Sequence, residues 1–102
     1  MQKPKTMLQI PVVQNIVNII IDHQRAIIGP LALEQASRVP GVKIAGGEHV
    51  EVEAGINPQS LLNQLVKQYE TLFGLASVEV CKDAVKELKP TVSANDLPEI
   101  LR

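Results

Sequence analysis

The chain is short of aromatic residues, cysteine and net charge, and each shortage removes a class of function. Tryptophan is absent, and Tyr69 and Phe73 are the only rings among 102 residues. Two rings are too few for a platform on which nucleic-acid bases stack. The single cysteine, Cys81, excludes an internal disulfide, and with two histidines it falls short of a closed zinc set. Ten basic residues face eleven acidic ones. Phosphate backbones select a large basic excess, so this balance argues against a nucleic-acid partner. Gln9, Pro11, Gln14, Asn15 and Asn18 interrupt the apolar N-terminal region, and no small-residue cleavage site follows. We therefore expect neither a signal peptide nor a transmembrane helix, and a cytoplasmic protein.

What is present is aliphatic. The apolar fraction is 45%, built from Ile, Val, Leu and Ala, and the length suits one small helical domain over residues 1–102. From Val12 to Ile28, apolar residues including Ile16, Ile20 and Ile27 recur at helical spacing. Gln14, Asn18, Asp22 and Arg25 step by four, four and three and mark the polar row. Gly29-Pro30 ends this helix and joins it to a second. Proline has no amide hydrogen and clashes with the preceding turn, yet it suits a helix's first position. The second helix is expected from Pro30 through Val39, with Glu34, Gln35 and Arg38 outward, until Pro40-Gly41.

Val42, Ile44, Val50 and Val52 then alternate with Lys43, His49, Glu51 and Glu53, which is strand periodicity. A three-residue loop, Gly46 to Glu48, sets Val42 opposite Val52, Lys43 opposite Glu51 and Ile44 opposite Val50. A one-residue slip would reverse every side chain, so this register is favoured. Asn57-Pro58 reads as a capped helix start, with an apolar face running from Leu61 to Phe73 and Gly74 as its C-terminal cap. A fourth helix is expected from Ser77 to Lys89, with Val78, Cys81, Val85 and Leu88 inward, until Pro90. Residues 1–9 and 91–102 are expected to be loosely ordered, apart from a short turn at Pro98–Leu101. The fold class is mostly α with a small β-hairpin, in the order α-α-β-β-α-α.

The segment AIIGPLALEQA, at Ile28, Gly29, Pro30 and Ala32, resembles a motif in the C-terminal helical regions of some bacterial signalling proteins. There an Ile-Gly-Pro step, a small residue and an aliphatic helix follow a kinase or cyclase domain. The resemblance is confined to this segment. It implies a regulatory or interaction role and carries over no catalytic residue.

No nucleophile, base and oxyanion donor assemble from the sequence, so we expect no enzyme and no cofactor or metal. The expected function is a regulatory or scaffolding module in signal transduction, binding a protein partner or itself as a dimer. Its interface candidates are Ile16, Ile20, His23, Ile27, Val50 and Val52, with Gly29 and Pro30 as a structural joint. One alternative is a small enzyme or metal- or ligand-binding protein that uses His23 or the His49/Glu51/Glu53 stripe. Another is a weak helical nucleic-acid binder that uses Lys82, Lys86 and Lys89.

Overall fold

The apolar spacing of the first segment produces a helix, α1, over Ile10–Ile28. It begins before the apolar pattern suggested, because Pro11 fits the first turn, where amide hydrogens need no partner. The computed structural model describes residues 9–46, 49–88 and 92–102. α2 spans Leu31–Ala36, β1 Val42–Ile44, β2 Val50–Val52, α3 Pro58–Phe73 and α4 Leu75–Lys86. The order α-α-β-β-α-α is therefore realised.

α2 is shorter than expected. After Ala36 the chain tightens into three-residue bonds, Arg38 N–H to Gln35 O at 3.2 Å and Val39 N–H to Ala36 O at 3.1 Å. Pro40 then forbids continuation, because the residue before a proline is pushed out of the helical region. α4 starts at Leu75 rather than Ser77, since Gly74 itself opens the helix. It ends at Lys86, with Glu87 as its C-cap, short of the expected end at Lys89. Lys89 and the expected stop, Pro90, lie outside the described residues.

The hairpin has the expected register, with Val42 opposite Val52, Lys43 opposite Glu51 and Ile44 opposite Val50. The loop residues Gly47 and Glu48 lie outside the described residues. Isolated two-stranded hairpins are barely stable in water, and this one is held by α1. Asn18 Nδ2 donates to Val50 O at 3.1 Å, and Asn18 Oδ1 accepts from Val50 N–H at 3.0 Å. Gln14 Oε1 accepts from Val52 N–H at 3.1 Å. Four residues of helix advance about 6 Å, and two residues of strand about 6.8 Å. The i,i+4 amides of α1 thus match the outward-facing groups of β2. Part of the polar row expected to face solvent is a docking edge.

The core joins α1, α3 and α4 to the hairpin. Val13, Ile16, Val17, Ile20 and Ile21 of α1 meet Leu61, Leu62, Leu65 and Val66 of α3. Tyr69 is fully buried, and its hydroxyl donates to Ala32 O at 2.6 Å, which ties α3 to α2. Burial pushes the Tyr69 phenol well above the ordinary tyrosine range. Gln35, expected to face outward, is buried and accepts from Gln68 Nε2 at 2.7 Å. The C-terminal segment is not loose over 92–102. It folds as two 3₁₀ turns, Ala94–Asp96 and Glu99–Leu101, and buries Leu97 and Leu101. The first turn is capped by the Ser93 hydroxyl, which accepts from Asn95 N–H. The expected turn near Pro98 is the second of these.

Candidate interaction surface

Two helix-to-helix corners share one backbone design. At the first, Gly29 has φ +70° and ψ −147°; at the second, Gly74 has φ +82° and ψ −172°. That region is close to glycine-only. Gly29 N–H donates to Arg25 O and Gly29 O accepts from Ala32 N–H. Gly74 N–H donates to Glu70 O and Gly74 O accepts from Ser77 N–H. Each glycine therefore closes one helix with its amide and opens the next with its carbonyl. This uses backbone groups that helix ends otherwise leave unpaired.

The two corners lie at the same end of the molecule. The Tyr69–Ala32 bond holds the start of α2 to the last turns of α3. The Gln24 amide donates to Ser77 O at 3.0 Å and to Cys81 Sγ at 3.3 Å, which holds the end of α1 to the start of α4. Around these corners stand five large apolar side chains in water: Ile27, Leu31, Leu72, Phe73 and Leu75. Leu75 is 73% exposed and Ile27 64%. Leu72 and Phe73 were expected to face inward with the rest of α3. The Gly74 corner turns the chain away just beyond them, so the last turn of α3 has no neighbour to cover it. Arg25, Gly29, Pro30 and Leu33 line an adjoining hollow of about 340 Å³.

Four of the interface candidates are not surface residues. Ile16 and Ile20 are fully enclosed, and Val50 and Val52 lie buried against α1. Their apolar faces are covered within the same chain, because the hairpin and α4 fold onto α1. Ile27 remains exposed. His23 is partly exposed, and its Nε2 lies 3.1 Å from Glu87 Oε1, which bridges α1 to the end of α4. Beside it, Asp22, His23, Ala26, Ile27, Val80 and Asp83 line a cleft of about 360 Å³. That lining holds an imidazole and two carboxylates but no hydroxyl, thiol or amine. Asp22 is itself held by Arg25 at 2.8 Å.

The remaining candidates are dispersed. His49, Glu51 and Glu53 are exposed on the hairpin, and Glu53 pairs with Lys43 at 3.0 Å. Among the described residues, no three His, Cys, Asp or Glu side chains come together to hold a metal. Cys81 is buried; desolvation pushes its thiol up to about 11, against the smaller opposing pull of the Gln24 amide. A reactive thiolate needs the reverse conditions. Lys82 and Lys86 line a groove beside the C-terminal segment, whereas Lys89 is outside the described residues. Among the described residues, no helix is long and apolar enough to cross a membrane.

Sequence reasoning singled out Gly29-Pro30 as a joint and Gly74 as the C-terminal cap of α3, but missed that Gly74 also opens α4 and so forms a second joint. Leu-Phe-Gly-Leu at 72–75 carried the available signal: a glycine flanked by large apolar residues between two helical stretches. Comparison with protein-family models, with curated proteins and with solved structures gives no match for this chain.

Proposed function

We propose that the protein is a non-enzymatic interaction module that self-associates through the end formed by its two glycine corners. The carrying observation is the set of five exposed apolar side chains there, 37–73% accessible. Fully burying such a side chain is worth about 1.5–3 kcal/mol. Covering the exposed share on two copies yields roughly 8–16 kcal/mol gross, on the same scale. Association costs about 4–15 kcal/mol. The comparison favours a weak, concentration-dependent dimer over an obligate one. A net charge of −1 offers little repulsion between copies. The Ile-Gly-Pro resemblance supports a regulatory or scaffolding role of the kind served in bacterial signal transduction, within the cytoplasm.

Sedimentation velocity from micromolar to millimolar concentration tests this reading. We expect the mass to rise toward twice the monomer, and Leu75→Asp to abolish the rise. Leu75 packs little within its own chain, and an aspartate in the first turn of α4 suits the helix dipole, so the variant should fold. A wild-type chain that stays monomeric throughout overturns the proposal.

A further inference from the structure

We propose that the groove between α4 and the C-terminal segment binds an amphiphilic anion, a short aliphatic chain bearing a carboxylate or phosphate head. The groove encloses about 300 Å³, at the lower end of the range for small-molecule sites. Its floor is aliphatic: Val85, Val92, Leu97 and Leu101. Its rim carries the side chains of Lys82, Lys86 and Arg102, with Glu79 as the one acidic side chain.

The cations are concentrated without full local compensation. Lys82 and Lys86 are four residues apart on α4, a like-charge spacing that destabilises a helix. Glu79 sits 3.7 Å from Lys82, and Glu87 is engaged with His23. Among the described residues, neither Lys86 nor Arg102 has an ion-pair partner. The helix dipole accounts for a cation at Lys86, in the last turn, but not for Lys82 or Arg102. Arg102 is fixed in place: its Nε donates to Ala94 O at 3.0 Å and to Leu97 O at 3.1 Å. Its terminal nitrogens keep their donors for an anion.

The occupant is a free amphiphile rather than a lipid held in a bilayer. Val85, Leu97 and Leu101 are recessed and buried, and every large exposed apolar side chain among the described residues lies elsewhere. Nothing at this face can insert into a membrane, so the aliphatic chain must come to the floor. The site is independent of the self-association reading. Leu75 lies about 16 Å along α4 from Lys86, so either proposal can fail alone.

The test is an amide-resolved NMR titration with octyl phosphate below its micelle-forming concentration, with octyl glucoside and inorganic phosphate as single-feature controls. We expect saturable shifts at Val85, Lys86, Leu97 and Leu101 with octyl phosphate, and binding at least tenfold weaker in Lys86→Glu at unchanged melting temperature. Equal binding of octyl glucoside would reduce the site to an apolar slot and overturn the proposal. Equal binding of inorganic phosphate would reduce it to a simple anion site and overturn the proposal as well. Absence of localised shifts also overturns it, as does tighter binding to phosphatidylglycerol vesicles than to octyl phosphate.

Discussion

Replacing Asn18 by alanine removes both hydrogen bonds by which α1 holds Val50, the N–H at 3.0 Å and the C=O at 3.1 Å. Val50 is buried, so water cannot readily substitute. An orphaned buried polar group costs about 1–3 kcal/mol. Alanine is the better helix former and returns up to about 0.7 kcal/mol. Two groups are orphaned, so the gross loss is about 2–6 kcal/mol. Both bonds are only part-buried, which sets the net loss toward the low end, about 2 kcal/mol, a large share of the roughly 5–15 kcal/mol that stabilises a domain of this size. At about 4–8 °C per kcal/mol, the melting temperature should fall by roughly 8–16 °C. Urea unfolding followed by far-ultraviolet circular dichroism measures the loss, and hydrogen exchange at the Val50 amide localises it. Asn18→Asp keeps the acceptor but turns a carboxylate toward Val50 O, so it should also destabilise. Asn15, exposed on the same helix, is the control, and its alanine variant should be neutral or slightly stabilising. If Asn18→Ala lies within about 0.5 kcal/mol of the parent, a surface-like change, the side-chain clamp contributes nothing and the reasoning fails.

Gly41→Ala should be more damaging than Gly46→Ala. Both glycines have positive φ, but a Cβ at Gly41 would lie 2.9 Å from Ile56, whereas the space at Gly46 is open. The left-handed backbone alone costs about 1–2 kcal/mol, so thermal melting should rank the pair with Gly41→Ala lower. Cys81 should resist thiol reagents at pH 8 until denaturant is added. Its folded pKa of about 11 exceeds the ordinary value of 9.0, so the folded state retains the proton that the unfolded state releases. Stability is thus full below about pH 9 and lost as pH rises toward 11. Tyr69 adds a similar alkaline loss from its ordinary value of 10.0 upward. In Cys81→Ala, the onset of alkaline destabilisation should move from about pH 9 to about pH 10, read by denaturation at stepped pH. His23→Ala should cost under about 1 kcal/mol, since the Glu87 pairing is largely in water. A larger loss would mean that the pair helps to hold α4 on α1.

The helices and hairpin were readable because local chemistry and period agreed. Asn57 accepts from Ser60 N–H ahead of Pro58, as its residue type implied. The hairpin register followed from keeping Val42, Ile44, Val50 and Val52 on one face, although Ile44, at the loop end of β1, is left exposed rather than covered by α1. Burial within the chain was less legible. Gln14 and Asn18 look like solvent residues by type, and only the proximity of β2, more than thirty residues away, gives them partners. Gln24 and Gln35 are polar residues enclosed by helices that sequence alone cannot bring together. The exposed end was misread for the complementary reason. Leu72 and Phe73 continue the apolar face of α3, and period cannot say where the neighbouring helix stops. The order in the C-terminal segment depended on Leu97 and Leu101 reaching the core, a tertiary effect hidden behind a polar local sequence.

The clamp of α1 on β2 also bears on the order of folding. Its bonds close chain separations of 32 and 38 residues, and strands of three residues cannot persist before that closure. Helix–coil relaxation takes about 0.1–1 μs, while contacts distant in sequence wait on loop closure. The hairpin should accordingly join a helical nucleus late, and truncations at Val50 and Val52 should accelerate unfolding while leaving the refolding rate nearly unchanged. The amides of α1 would then serve as a template that admits the hairpin in a single register, with little opportunity for a slipped pairing to form first.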